Sequence, residues 1–156
     1  MGVLGLLLLS WGSMGPPAPL PEALPLYVVS PSPRSLHEYF IADEARRAGL
    51  DTLLAIAISR WENPDSDPTI WSWNDCCVGL MQVNVYYWEH SFVDECGARD
   101  LYDPRTNACY GVRIFLWHLQ DEAGDTLRAL AAYSGYARGY VRRVLDRRAL
   151  LALEDQ

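Results

Sequence analysis

The stretch LAIAISRWENPDSDP, residues 54–68, constrains this chain more than any other. An apolar run from Leu54 to Ile58 leads to one carboxylate, Glu62, and Pro64 stops the helix two residues later. Asp51 is placed to cap the start of this helix. Leu53, Leu54, Ala57, Ile58 and Trp61 recur at helical spacing and form its buried side. Glu62 therefore stands at the helix end, where unpaired carbonyls disfavour negative charge and raise the affinity for a proton. Desolvation by Trp61, Trp71 and Trp73 acts in the same direction. A carboxyl that keeps its proton at neutral pH can serve as a general acid. The plainer alternative is a solvated glutamate paired with Arg60.

The pattern around this helix is also helical. SLHEYFIADEARRAGL has Ser35 and Glu38 at capping-box spacing and ends at Gly49. Residues 63–77 are rich in Asn, Pro, Asp, Ser and Trp and read as a loop. VGLMQVNVYYWEH suits a helix or a strand equally well. DPRTNACYGVRIFLWHLQDEAG reads as a helix capped by Thr106 or Asn107, with Ala108, Val112, Phe115, Leu116 and Leu119 as its apolar stripe. Gly124 ends it, Asp125 caps TLRALAAYSG, and a last helix is expected from about Arg138 to Leu151. No internal repeat is present. The expectation is one mainly α domain over residues 34–156, with at most a small strand element within 65–90.

Before this domain lie two segments of different character. Residues 1–15 carry an apolar block, Val3 to Leu9, which reads as a signal peptide or an N-terminal membrane anchor, although no Lys or Arg precedes it. The block is short for a membrane span of about 20 residues. Residues 16–33 hold seven prolines and read as an extended linker. Charge narrows the partners: 20 acidic residues against 13 basic ones, net −7, disfavour nucleic acid. Every basic residue is arginine, so Schiff-base and P-loop chemistry, which need a lysine, are excluded. The four cysteines, Cys76, Cys77, Cys96 and Cys109, form no CxxC, and no histidine stands at zinc-ligand spacing, so neither a metal site nor a cofactor is expected. Export favours disulfides. Because neighbouring cysteines are poorly placed to bond each other, Cys76 and Cys77 are expected to reach toward Cys96 and Cys109.

Four short motifs occur in order: ISRWENP, VGLMQVN, LYDPRTNACYGV and LAAYSGY. Together they resemble the soluble lytic transglycosylases, a lysozyme-like peptidoglycan-cleaving family. Its pattern is a glutamate at a helix end, a Gly-Leu-Met-Gln segment, a Leu-x-Asp-Pro-x-x-Asn element opening a helix with a glycine one turn in, and Ala-Tyr-Asn near a glycine. Here these fall on Glu62, Gly79 to Gln82, Leu101 to Asn107 with Gly111, and Ala132-Tyr133, covering residues 36 to about 145. Four departures stand out. Asn63 replaces a serine after the glutamate, Asn84 a methionine after the glutamine, and Ser134 the asparagine after Tyr133. The approach to Gly79 is SWNDCCVG, with two extra residues after Glu62, which puts Ser72 one position off the family serine.

The resemblance implies a lysozyme-like α+β fold, a helical bundle around a cleft for peptidoglycan glycan strands. Glu62 would be the single acid/base, cleaving the MurNAc–GlcNAc bond with formation of 1,6-anhydro-MurNAc. Gln82 would line the cleft and Tyr133 would hydrogen-bond Glu62; Met81, Asn84 and Ser72 join them as substrate-binding candidates. Leu80 is expected in the core. Trp71 or Trp73 is expected to stack on sugar, and Trp117 to be core; Tyr86, Tyr87 and Trp88 suit either role. The implied protein is an exported monomer of the periplasm or envelope, touching membrane only through a retained N-terminal segment. Two alternatives stand beside this. If Asp65, Asp67 or Asp75 stood ~6.5–9.5 Å from Glu62 with a water between the two carboxylates, a lysozyme-type hydrolase would result; a catalytically inactive wall-binding module could use the same cleft. Arg138, Arg142, Arg143, Arg147 and Arg148 are expected to form a solvated face paired with Asp146 and Glu154, rather than a wall-binding one.

Overall fold

A computed structural model describes residues 35–154; the expected export or anchor segment and the proline-rich linker lie outside them. Ser35 caps α1 (Leu36–Arg47), its hydroxyl accepting from the Glu38 N–H at 3.2 Å. Gly49, at φ 70°, turns the chain out of that helix, and Asp51 caps α2 (Thr52–Glu62) through the Leu54 N–H at 3.2 Å. A hairpin follows, with β1 (Cys77–Val78) antiparallel to β2 (Val83–Asn84). It continues directly into α3 (Val85–Trp88), then α4 (Val93–Cys96), α5 (Pro104–Asp121), α6 (Thr126–Tyr133) and α7 (Tyr140–Glu154). The ambiguous segment VGLMQVNVYYWEH is thus a strand pair that turns into a short helix.

α2 is more enclosed than one buried side implies. Thr52 and every residue from Leu54 to Ser59 are buried, because α1 and α7 pack on it and the main core closes over it. A helix apolar all round finds its minimum there. Arg60 breaks the pattern with purpose: its guanidinium donates to both Glu38 oxygens, at 2.6 and 3.1 Å, joining α1 to α2. A second, smaller core gathers Val78, Val83, Leu101, Tyr110 and Ile114 beneath the hairpin, and Tyr133 packs against both cores.

α5 starts earlier than expected. Asp103 is its cap, accepting from the Thr106 N–H at 2.7 Å, and Pro104 opens the helix. An Asp-Pro pair supplies an acceptor for an orphan N–H and a ring already at helical φ, so it outcompetes Thr106 and Asn107. Asn107 is freed for another task. Fully buried, its amide accepts from the Met81 N–H and donates to the Val78 and Leu101 carbonyls, each at 2.9 Å. These bonds fix the turn between β1 and β2. Gly79, at φ 81°, lies so close to Asn107 that a Cβ would overlap the amide, and a Cβ on Gly111 would overlap Met81.

Candidate active site

Glu62 ends α2 and opens onto a cleft of about 520 Å³. Asn63, buried beside it, accounts for the first departure from the family pattern. Its amide donates to the Asp67 carbonyl at 2.7 Å and the Gly79 carbonyl at 3.2 Å, tying the loop after the acid to the hairpin turn. The hydroxyl of Tyr140, the first residue of α7, donates to Glu62 Oε1 at 2.6 Å. Burial pushes the Glu62 carboxyl up from 4.5 to about 7, against the opposing pull of the Tyr140 bond. Burial and the Glu62 charge raise the Tyr140 phenol far above its ordinary range, so it stays a donor. The carboxyl is therefore protonated over a useful fraction of molecules at neutral pH.

Tyr133 does not hold Glu62. Its hydroxyl donates instead to the Met81 carbonyl at 2.9 Å, because the end of α6 lies over the hairpin turn. It still lines the cleft, and its ring joins the two cores. Met81 also departs from the expected role: its side chain is fully buried against Gly111, like Leu80 beside it, and belongs to the core. Tyr140 lay in none of the four motifs; only its place after Gly139 at the head of an apolar-striped helix marked it.

The hairpin region supplies Gln82, Asn84, Ser72 and Trp73 to the cleft. Gln82 sits at φ 48° and donates from its amide to the Gly79 carbonyl at 3.0 Å. Asn84 caps α3, accepting from the Tyr86 N–H at 3.1 Å. Ser72 accepts from the Cys77 N–H at 3.1 Å and donates to Asn74 Oδ1 at 2.7 Å. Trp73 is 95% exposed on the wall of the cleft. Trp71 lies away from this cleft and donates to the Tyr102 hydroxyl at 2.7 Å. Trp88 lines the cleft, while Tyr86 and Tyr87 are exposed beyond it. Trp117, expected in the core, is 46% exposed and packs edge-on against Trp88 at 5.4 Å, because its position on α5 faces the rim.

Glu62 is the single carboxylate among the residues that line this cleft. The three aspartates of the following loop are turn formers. Asp67 accepts from the Thr69 N–H at 2.9 Å and its hydroxyl at 2.7 Å, which lowers the pKa of the Asp67 carboxyl. Asp75 turns the chain at φ 53°, and Asp65 is exposed. Among the described residues no group of three or more His, Cys, Asp or Glu is placed to hold a metal ion. Nor is any described helix long and apolar enough to cross a membrane.

The cysteines pair differently from the expectation. Cys76 bonds Cys77, their Cα atoms 3.7 Å apart, and Cys96 bonds Cys109. α4 lies on α5, which brings Cys96 to Cys109, 5.7 Å between Cα atoms; Cys76 and Cys77 enter β1 at the cleft, so their partner is each other.

A helical body, one small hairpin and a cleft with a single proton-retaining carboxylate define a lysozyme-like, glycosidase-type domain. The family model for the transglycosylase SLT domain matches residues 39–149, well over half of the chain, and the chain belongs to that family. Membership supports a lytic transglycosylase-type function in peptidoglycan cleavage. Comparison with the curated proteins and with the solved structures found no match.

Proposed function

We propose that this protein cleaves the β-1,4 bond between N-acetylmuramic acid and N-acetylglucosamine as a lytic transglycosylase, with Glu62 as its single acid/base. The observation that carries the reading is the lone carboxylate of the cleft, lifted by burial to about 7 and held by Tyr140. Protonated Glu62 gives its proton to the glycosidic oxygen as the bond to the anomeric carbon breaks. The N-acetyl oxygen of the muramic residue assists at that carbon, so no second carboxylate is needed. Glu62, now anionic, takes the proton of the muramic 6-hydroxyl, whose oxygen closes the 1,6-anhydro ring. Gln82, Asn84, Ser72 and Trp73 bind the glycan, and Tyr133 keeps the Met81–Gln82 turn in place. The protein works outside the cytoplasm as a monomer, with residues 1–15 directing export or anchoring it.

Purified sacculi digested with the protein test this directly. Muropeptides ending in 1,6-anhydro-muramic acid are expected, and reducing ends in their place would overturn the transglycosylase reading. Glu62→Gln should lower the rate by roughly 10²–10⁴-fold, the usual contribution of a positioned acid. Clearing by that variant at the wild-type rate would remove Glu62 from the reaction.

A further inference from the structure

The cleft contains a group that the acid/base chemistry leaves unused: the disulfide ring of Cys76 and Cys77. We propose that this ring is a sugar-contacting element, an apolar plate that, with Trp73, docks the C–H face or N-acetyl methyl of a residue in the glycan strand. The proposal rests on the reading of the protein as a glycan-cleaving enzyme and adds a specificity determinant to it.

Two adjacent cysteines joined to each other enclose their own peptide bond, so the side chains collapse into one compact ring. Neighbouring residues take up the polar groups of the enclosed peptide. The Cys76 carbonyl accepts from the Val85 N–H at 2.9 Å, the Cys77 N–H donates to Ser72 Oγ at 3.1 Å, and the Cys77 carbonyl accepts from the Ser72 N–H at 2.9 Å. Beyond that peptide group the ring consists of sulfur and carbon, a polarizable apolar surface, with Cys76 Sγ 3.5 Å from the Ser72 hydroxyl. Ser72, Asn74 and Asn84 line the same region, which sets hydroxyl and amide groups beside that surface. A pyranose presents the matching pattern, an apolar C–H face bordered by hydroxyls and an acetamide. Few well-placed polar groups around apolar surface is what fixes a ligand's orientation. The Cys96–Cys109 bond serves as an internal contrast, since it ties α4 to α5 and neither cysteine lines the cleft.

The test uses the full chain carrying Glu62→Gln, which prevents turnover, with a tetramer of N-acetylglucosamine as the probe in calorimetric titration. Adding Cys76→Ala and Cys77→Ala should weaken binding roughly tenfold, as expected for losing one apolar contact surface of modest area. Hydrogen exchange at the backbone amides of positions 77 and 85 should stay slow in that variant, because the bonds that anchor this segment are made by backbone and Ser72. Unchanged affinity overturns the proposal. So does weaker binding accompanied by fast exchange at both amides, which assigns the disulfide to loop architecture alone. A peptide digest without reductant in which Cys76 and Cys77 are not joined to each other overturns it as well. If the parent binds the tetramer while wild type leaves sacculi intact, the proposed reaction fails, and the sugar plate stands where the cysteine variant binds more weakly with slow exchange at both amides.

Discussion

Glu62 owes its raised proton affinity, on which the proposed reaction rests, to being poorly solvated, and the same fact should make it a burden on the fold. The folded carboxyl binds its proton near pH 7, whereas the unfolded chain binds it near 4.5. Stability linked to that proton is fully present below about 4.5 and is lost as pH rises through 7. A glutamine carries no such dependence. Relative to wild type, Glu62→Gln should gain about 3 kcal/mol between pH 4 and pH 8, read from urea unfolding at the two pH values. The proposed reaction depends on the same proton, so kcat/KM of wild type should be flat below pH 7 and fall with unit slope above it. Tyr140→Phe removes the bond that opposes the shift, so the falling limb should move to higher pH. Its kcat should drop as the carboxyl loses its fixed position, with a stability cost of about 1 kcal/mol. A limb that moved to lower pH would contradict the assigned donor. The place of Glu62 at the helix end and its raised proton affinity were legible in the sequence, because the apolar run, the Asp51 cap and Pro64 are all local to it. Tyr140 was not, because it meets Glu62 across 78 positions and outside any motif. The family pattern drew attention to Tyr133, whose hydroxyl is occupied by the Met81 carbonyl.

At the scale of elements, the β1–β2 turn is the part of the cleft most dependent on contacts far along the chain. Asn107 reaches it from α5 through three buried bonds, and Gly79 and Gly111 give the clearance that lets the elements approach. Asn107→Ala strands the Met81 N–H and two carbonyls, and should cost about 3 kcal/mol, with activity falling further as Gln82 loses its backbone frame. Gly111→Ala forces Met81 aside and should cost roughly 1–3 kcal/mol. Both are measured by denaturant unfolding together with sacculus clearing. This dependence explains the uneven legibility of the elements. α1, α2 and α6 are announced by their own caps and glycines, so their limits could be read within a residue or two. The hairpin could not be read from VGLMQVNVYYWEH, since what selects strand over helix there is Asn107, 26 residues on from Met81. The cysteine pairing failed for a similar reason: spacing says nothing of the α4–α5 packing that brings Cys96 to Cys109.

For the whole molecule, the decisive contact is between α2 and α7. Arg148 on α7 donates from Nε to Asp51 Oδ2 at 2.7 Å, on the residue that caps α2, while Tyr140 at the other end of α7 meets Glu62. The C-terminal arginines therefore divide, in part as their helical spacing suggested. Arg142 pairs with Asp146 at 3.6 Å, and Arg143 lies over the Trp61 ring at 4.9 Å. Arg148→Met should cost at most about 1 kcal/mol, because the pair is partly exposed and screened. Asp51→Ala should cost about 1–2 kcal/mol, since it also removes the helix cap. Comparing the two in low and high salt separates the charge contribution from the cap.

The span between Glu62 and Tyr140 also bears on the order of events in the protein's life. Emerging from the ribosome N-terminus first, the chain delivers α2 well before α7. Until the last helix docks, the carboxyl has neither its phenol nor its enclosure and behaves as an ordinary, ionised glutamate. On the proposed mechanism an incompletely folded copy would thus be harmless to any glycan it met, and competence would arrive only with completed folding.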